Sequence, residues 1–173
     1  MRRLPLVVCC VSLLVLAGCS APTIEDQPTS DVRLSVDNGD TETYELTVAV
    51  VPSTVDTLRI TDANGTTRTF RNVSSLDSVP EDALGNATAF TATGPNVTTK
   101  NYVLEPQTGI GDEFSETPQN ATLLFLLTRP GADDPTRSWG AVTCGQSDFA
   151  ELTLTIADGG SVSVSNHCGS VDS

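Results

Sequence analysis

One histidine, five cysteines and three acidic clusters are the side chains of this sequence whose types and spacing could do chemistry. His167, next to Cys168, could act as the base of a Ser-His-Asp site, since serine and aspartate are plentiful. No Gly-x-Ser-x-Gly elbow accompanies it. A lone histidine beside a cysteine near the chain end reads instead as a packed or surface residue. Blue copper needs two histidines, a cysteine and usually a methionine, so one histidine excludes that role. The acidic clusters are Asp37-Asn38-Gly39-Asp40, Asp112-Glu113 with Glu116, and Asp133-Asp134. Calcium favours such oxygen-rich loops, but none carries a full ligand series, and Asp-Asn-Gly is ordinary turn chemistry. A carboxylate pair could cleave a glycosidic bond. Aromatic platforms for a sugar are scarce, because Trp139 is the sole tryptophan. No metal and no cofactor are expected.

The cysteines divide by position. Cys9 and Cys10 fall in an apolar run, Leu4 to Leu16, that follows Met1-Arg2-Arg3. A basic start, a short apolar stretch and the small residues Ala17-Gly18 make an export signal. The run is too short to span a bilayer, which takes about 20 apolar residues. Leu16-Ala17-Gly18-Cys19 resembles the lipobox of exported lipoproteins. That resemblance implies cleavage before Cys19 and a lipid on its sulfur, leaving 1–18 as signal peptide. Two acyl chains hold firmly where one does not, at roughly 0.8 kcal/mol per buried methylene. The expected location is the outer face of the cell membrane. Cys144 and Cys168 remain, an even pair in an oxidising compartment, and are expected to form a structural disulfide. Without histidine partners they are too few for a structural zinc.

The formal net charge is −13 over 173 residues, with 22 acidic residues against nine basic. Such a surface repels nucleic acid and anionic headgroups, so neither is an expected partner. Lys100 is the only lysine, threonine is abundant and aromatics are few. This pattern resembles proteins of salt-loving archaea. At 1 M salt the Debye length shrinks to ~3 Å and self-repulsion is screened, so weaker folding is expected in dilute buffer.

The elements that must carry these residues are short strands. Ser20 to Ser30 is polar with two prolines, and residues 19–30 are read as a tether. Val32, Leu34 and Val36 alternate up to the turn Asn38-Gly39, and Tyr44, Leu46, Val48 and Val50 alternate after it, which reads as a first hairpin. Leu58 and Ile60 lead through Asn64-Gly65 to Phe70 and Val73, a hairpin. Leu152, Leu154 and Ile156 lead through Asp158-Gly159-Gly160 to Val162 and Val164, another. Leu123-Leu124-Phe125-Leu126-Leu127 lacks alternation and predicts a strand buried on both faces. Ser78-Val79-Pro80-Glu81, closed by Gly85, has the form of a capping box and predicts a turn or two of helix between sheets.

Many short strands with regular turn signals predict an all-β, mostly antiparallel sandwich over 31–173, one core between two sheets. Val32 to Leu84, with its alternating strands, Asn-Gly turn and capped turn, resembles the immunoglobulin-like domains of exported archaeal lipoproteins. The cysteines lie within the last 30 residues and are expected to pin the terminal hairpin to the strand before it. Trp139, five residues before Cys144, is expected in the core or over that bridge, with an exposed binding anchor as the alternative. Asn64, Asn72, Asn86, Asn96 and Asn120 each begin an Asn-x-Ser/Thr site at a predicted turn or strand end, and are expected glycan acceptors. The polar stretches Arg129 to Arg137 and Gln107 to Gln119 are read as partner-contacting loops. The whole describes a non-catalytic, lipid-anchored surface protein that binds an envelope protein or a small solute. A small exported hydrolase using His167 or a carboxylate pair is the alternative.

Overall fold

Strand after strand forms where apolar and polar residues alternate, because a period of two puts one face in the core and one in water. The structure, a computed structural model, describes residues 29–52, 55–73, 79–132, 136–144, 147 and 149–169. Among them are β1 (Thr29–Asn38), β2 (Tyr44–Val51), β3 (Val55–Asp62), β4 (Thr67–Val73), α1 (Glu81–Gly85) and β5 (Ala87–Thr93). There follow β6 (Thr98–Leu104), β7 (Thr108–Pro118), β8 (Thr122–Thr128), β9 (Thr136–Thr143), β10 (Phe149–Ile156) and β11 (Val162–Cys168).

The strands build three sheets. Sheet A has the order β11-β10-β1-β7, sheet B β6-β2-β8-β9 and sheet C β4-β3-β5. Every pairing is antiparallel except β1 with β10. Sheet B lies in the middle. Its β2 residues Tyr44, Leu46, Val48 and Val50 face sheet A, meeting Val32, Leu34, Val36, Leu152, Leu154 and Ile156 in a first core. Its opposite face offers Ala49, Val51, Leu124 and Leu126 to Leu58, Ile60, Ala87 and Ala92 of sheet C in a second. The unbroken apolar run Leu123 to Leu127 is thus β8 of the central sheet, buried on both faces as its lack of alternation predicts.

In chain order sheet C is an insertion. The chain leaves β2 at Val51, builds β3, β4, α1 and β5, and returns as β6, the antiparallel neighbour of β2. Sheets A and B together form an eight-stranded sandwich without it. Its core closes tightly: a Cβ at Gly140 in β9 would lie 2.6 Å from the Phe125 ring. The Cys144–Cys168 disulfide spans 5.5 Å between Cα atoms and ties the end of β9 in sheet B to the end of β11 in sheet A. It pins the terminal hairpin to the strand before it, as the positions of the cysteines implied.

Several expectations are corrected. The sandwich has two cores rather than one, because the insertion covers the β2–β8 part of the second face of sheet B. β1 and β2 flank Asn38-Gly39 but lie in different sheets, so that turn is a corner and not a hairpin. The hairpins β3–β4 and β10–β11 form where expected. Val32 to Leu84 is no unit by itself, since it contributes strands to all three sheets. The helix starts after Pro80 with no side-chain cap, and Ser78 lies outside the described residues. It joins two strands of sheet C instead of crossing between sheets. Gln107 to Gln119 is mostly β7, not a loop. On this edge strand the inward phase carries Asp112 between Ile110 and Phe114, so its apolar alternation is too sparse to read. The first strand begins at Thr29, inside the segment read as tether. The signal peptide and Cys19 lie outside the described residues.

Candidate functional site

In the acidic turn Asp37-Asn38-Gly39-Asp40, two polar side chains are buried while Asp37 is exposed. Asn38 is fully buried and Asp40 4% exposed. The Asn38 amide donates to the carbonyls of Glu42, Leu104 and Glu105 at 2.9, 3.2 and 2.9 Å. Its Oδ1 accepts the Asp40 backbone N–H at 3.1 Å. The Asp40 carboxylate accepts Tyr44 Oη–H and the Thr41 backbone N–H, both at 2.6 Å. These donors, the Tyr44 hydroxyl foremost, hold its carboxyl below the usual carboxylate range. Gly160, with φ 77°, passes so close that a Cβ there would lie 2.8 Å from the Tyr44 hydroxyl. Each polar group is used in joining β1, β2, β6 and the β10–β11 turn, so this is a structural corner.

Asp112, Glu113 and Glu116 diverge. Asp112 accepts from Lys100 Nζ at 2.9 Å and Tyr102 Oη at 2.8 Å. Lys100 also donates to the Glu113 carbonyl at 2.7 Å and lies 4.7 Å from the Phe114 ring centroid. The only lysine thus clips β6 of sheet B to β7 of sheet A, across the edge opposite the disulfide. Lys100 foremost, then Tyr102, lowers the Asp112 pKa to about 2, while burial and the Asp112 charge push the Tyr102 phenol upward.

His167 lies exposed on β11, opposite Glu151. The row continues across sheet A through Arg33 to Glu113. Glu151 and Glu113 are therefore two strand spacings apart, roughly 10 Å, with Arg33 between them. Arg33 fills the row between the two carboxylates, and no phenylalanine, tyrosine or tryptophan shares that row to seat a sugar. His167 has no hydrogen-bonded serine or aspartate among the described residues. Among those residues no three His, Cys, Asp or Glu side chains converge as metal ligands. Asp133 and Asp134 lie outside them.

Trp139 packs against the second core, not over the disulfide. It borders a void of about 20 Å³ with Leu58, Phe90 and Leu126, room for no ligand larger than a water. A polar cleft of about 320 Å³ opens at one end of sheet C, where Arg68 meets Asp82 at 2.7 Å between Asn64 and Asn86.

All five sequon asparagines are exposed. Asn72, Asn96 and Asn120 have φ of 50°, 59° and 62°, a conformation asparagine tolerates well. Four of the five belong to the insertion: Asn64 in the β3–β4 turn, Asn72 in β4, Asn86 after α1 and Asn96 after β5. The stretch from Arg129 to Arg137 is shorter as a loop than expected, since β9 begins at Thr136.

The feature that sequence reasoning missed is the outer face of sheet C. Opposite the buried Leu58 and Ile60, the strands present Thr57, Arg59 and Thr61 of β3, Thr67, Thr69 and Arg71 of β4, and Ala89, Thr91 and Thr93 of β5. The Thr61 and Thr67 hydroxyls bond to each other at 3.0 Å on this face. The signal was the polar phase of three alternating strands, but only their pairing brings the residues onto one surface.

Facing β-sheets with a disulfide between them define an immunoglobulin-like all-β sandwich. The chain belongs to the family described as halobacterial Ig domain protein, which it matches over residues 1–172. No curated protein matches it. Among solved structures it is similar to the T6SS lipoprotein TssJ1 from Pseudomonas aeruginosa, with a TM-score of 0.42 and 12% identity, covering 81% of this chain and 98% of that one. It is also similar to the cytotoxin suilysin from Streptococcus suis, with a TM-score of 0.34 and 8% identity over 80% of this chain. For the human-specific toxin intermedilysin the values are 0.36, 10% and 82%. The chain spans only 23% and 24% of those two toxins.

Proposed function

We propose that this is a non-catalytic protein of the outer face of the cell membrane, held by a lipid on Cys19, whose sandwich displays a binding surface. In this reading 1–18 is removed as a signal peptide. The residues from Cys19 to the start of β1 form the tether. Asn64, Asn72, Asn86, Asn96 and Asn120 are the sites open to glycans. The observation that carries the reading is the insertion. An eight-stranded sandwich supplies the frame, and sheet C adds an exposed face over the β2–β8 part of sheet B. The groups that could do chemistry are used elsewhere: Asp40 and Asp112 hold strands together, and His167 stands alone on β11.

The anchor is tested by expressing the chain in a salt-loving archaeon and following Cys19→Ser. The natural chain should sediment with membranes, resist washing without detergent, and show an acylated N-terminal Cys19 by mass spectrometry. Cys19→Ser should appear unprocessed or in the medium. A natural chain washed free while retaining Met1 would overturn the reading.

A further inference from the structure

The two outer faces of the molecule carry opposite chemistry. On sheet A, Asp31, Asp37, Glu113 and Glu151 surround the single Arg33. On sheet C the nine outward positions named above carry no carboxylate, in a chain with 22 of them. The exposed carboxylate of β3, Asp56, belongs to the alternate phase of that strand. Arg59 and Arg71 are exposed there. Arg59 stands opposite Thr69, two residues from Arg71 on the neighbouring strand, so the two are diagonal neighbours about 7–8 Å apart at the backbone. Neither has an ion pair or hydrogen bond among the described residues. Arg68, by contrast, is paired with Asp82, and Lys100 with Asp112. Two adjacent unpaired arginines repel each other, and a single carboxylate on any of the seven surrounding threonine or alanine positions would relieve it.

An arginine fork fits a planar or tetrahedral oxyanion with two parallel N–H bonds. Around the forks stand the hydroxyls of Thr57, Thr61, Thr67, Thr69, Thr91 and Thr93, each both donor and acceptor. The remaining choice is between kinds of anionic partner. A protein interface draws its affinity from an apolar or aromatic anchor in a dry pocket. No outward position of this face is larger than threonine apart from the two arginines. Anionic lipid surfaces are recognised by clusters of about four to eight basic residues, and this face has two. A hydroxyl-lined surface with two forks suits a polymer that is itself hydroxyl-rich and carries oxyanions at intervals.

We infer that the outer face of sheet C binds an acidic polysaccharide, with Arg59 and Arg71 gripping its carboxylate or sulfate groups and the threonines bonding its hydroxyls. This rests on the surface location proposed above and names the partner class of that surface.

The test uses the full-length chain in detergent, with binding measured to immobilised dextran sulfate, polygalacturonate and neutral dextran at low and at molar salt. The two acidic polymers distinguish sulfate from carboxylate, and retention on either supports the inference. Each of Arg59→Ala and Arg71→Ala should weaken binding about tenfold. Arg71→Lys, which keeps the charge but not the fork, should fall between. Arg33→Ala, on the opposite face, should bind like the natural chain. Melting temperatures of the Arg59 and Arg71 variants should stay close to that of the natural chain, because both arginines are exposed and have no partner among the described residues. Equal retention on neutral dextran would overturn the inference. So would unchanged binding by the Arg59→Ala, Arg71→Ala double variant, or capture only by anionic vesicles or an acidic protein. Failure here with Cys19 found acylated removes only this inference. Success here with Cys19 unmodified removes the anchor and leaves the face.

Discussion

The eight-stranded sandwich and the inserted sheet are stabilised differently. The first core is filled by large side chains, with Tyr44, Phe114, Leu34, Leu46, Leu123, Leu152, Leu154 and Ile156 all under 2% exposed. Its edges are closed twice, by the Cys144–Cys168 bond and by the Lys100–Asp112–Tyr102 cluster, and its end by the Asn38–Asp40 corner. The second core sets Ala49, Ala83, Ala87 and Ala92 among Leu58, Ile60, Leu124 and Leu126 and keeps a void of about 20 Å³. Its ion pair among the described residues, Arg68–Asp82, has side chains 47% and 65% exposed. Small side chains bury less apolar area, and a void forfeits dispersion contacts. The comparison teaches that rigidity is concentrated in the frame, while the insertion is free to be a surface. Four of the five sequons and the arginine–threonine face lie there.

The sharpest way to break this comparison is to open each core in turn. Leu154→Ala in the frame should cost about 3–5 kcal/mol in denaturant melts and expose every strand to hydrogen exchange together. Leu58→Ala, between sheets B and C, should raise exchange in β3, β4 and β5 while β1, β2, β8 and β10 stay protected. Uniform protection of all three sheets in both variants would show one cooperative unit instead of two.

Next in size is the disulfide. Its loop has a sequence separation of 24. Replacing both cysteines by serine should lower stability by about 3 kcal/mol on the chain-entropy account. The loss should appear as fraying of β9 and β11 before sheet C changes. Early loss of sheet C would place the weak point in the second core alone.

The smallest effect belongs to the opposite edge. Folding lowers the Asp112 pKa from 3.8 to about 2. A carboxyl with a depressed folded pKa contributes stability that is full above the unfolded value and fades as pH falls through the folded one. Acid also relieves the general repulsion of this anionic surface, so the contribution is read as a difference. The natural chain should be more stable than Asp112→Asn at neutral pH, and the gap should close between about pH 4 and pH 2. With about a third of each partner exposed, solvent screening holds that gap under about 1 kcal/mol. It should shrink further in molar salt. A gap that widens in acid would remove Asp112 from the clip.

How much could be read beforehand depends on whether a signal is local. The hairpins around Asn64-Gly65 and Asp158-Gly159-Gly160 were legible because strand, turn and strand follow in sequence. The double burial of β8 was legible because a strand with two covered faces loses its alternation. The disulfide was legible from two cysteines near one end of an exported chain. Of the candidate site residues, the exposure of His167 beside a bridged cysteine agreed with a surface reading. β7 was missed because an edge strand with glycines outward and Asp112 in its inward phase shows too few apolar residues to betray its period.

Composition and alternation by themselves settled an all-β chain, the turns of its two local hairpins, and an acidic surface with one lysine. Each of these depends on neighbours along the chain, and burial on one face of a strand writes itself into a period of two. Only the tertiary structure decided that Asn38-Gly39 turns between sheets and that sheet C is inserted between adjacent strands of sheet B. It also decided that Arg59 and Arg71 share a face without a carboxylate. Those facts depend on which strands pair, and pairing is chosen by the fit of whole faces that are distant in sequence.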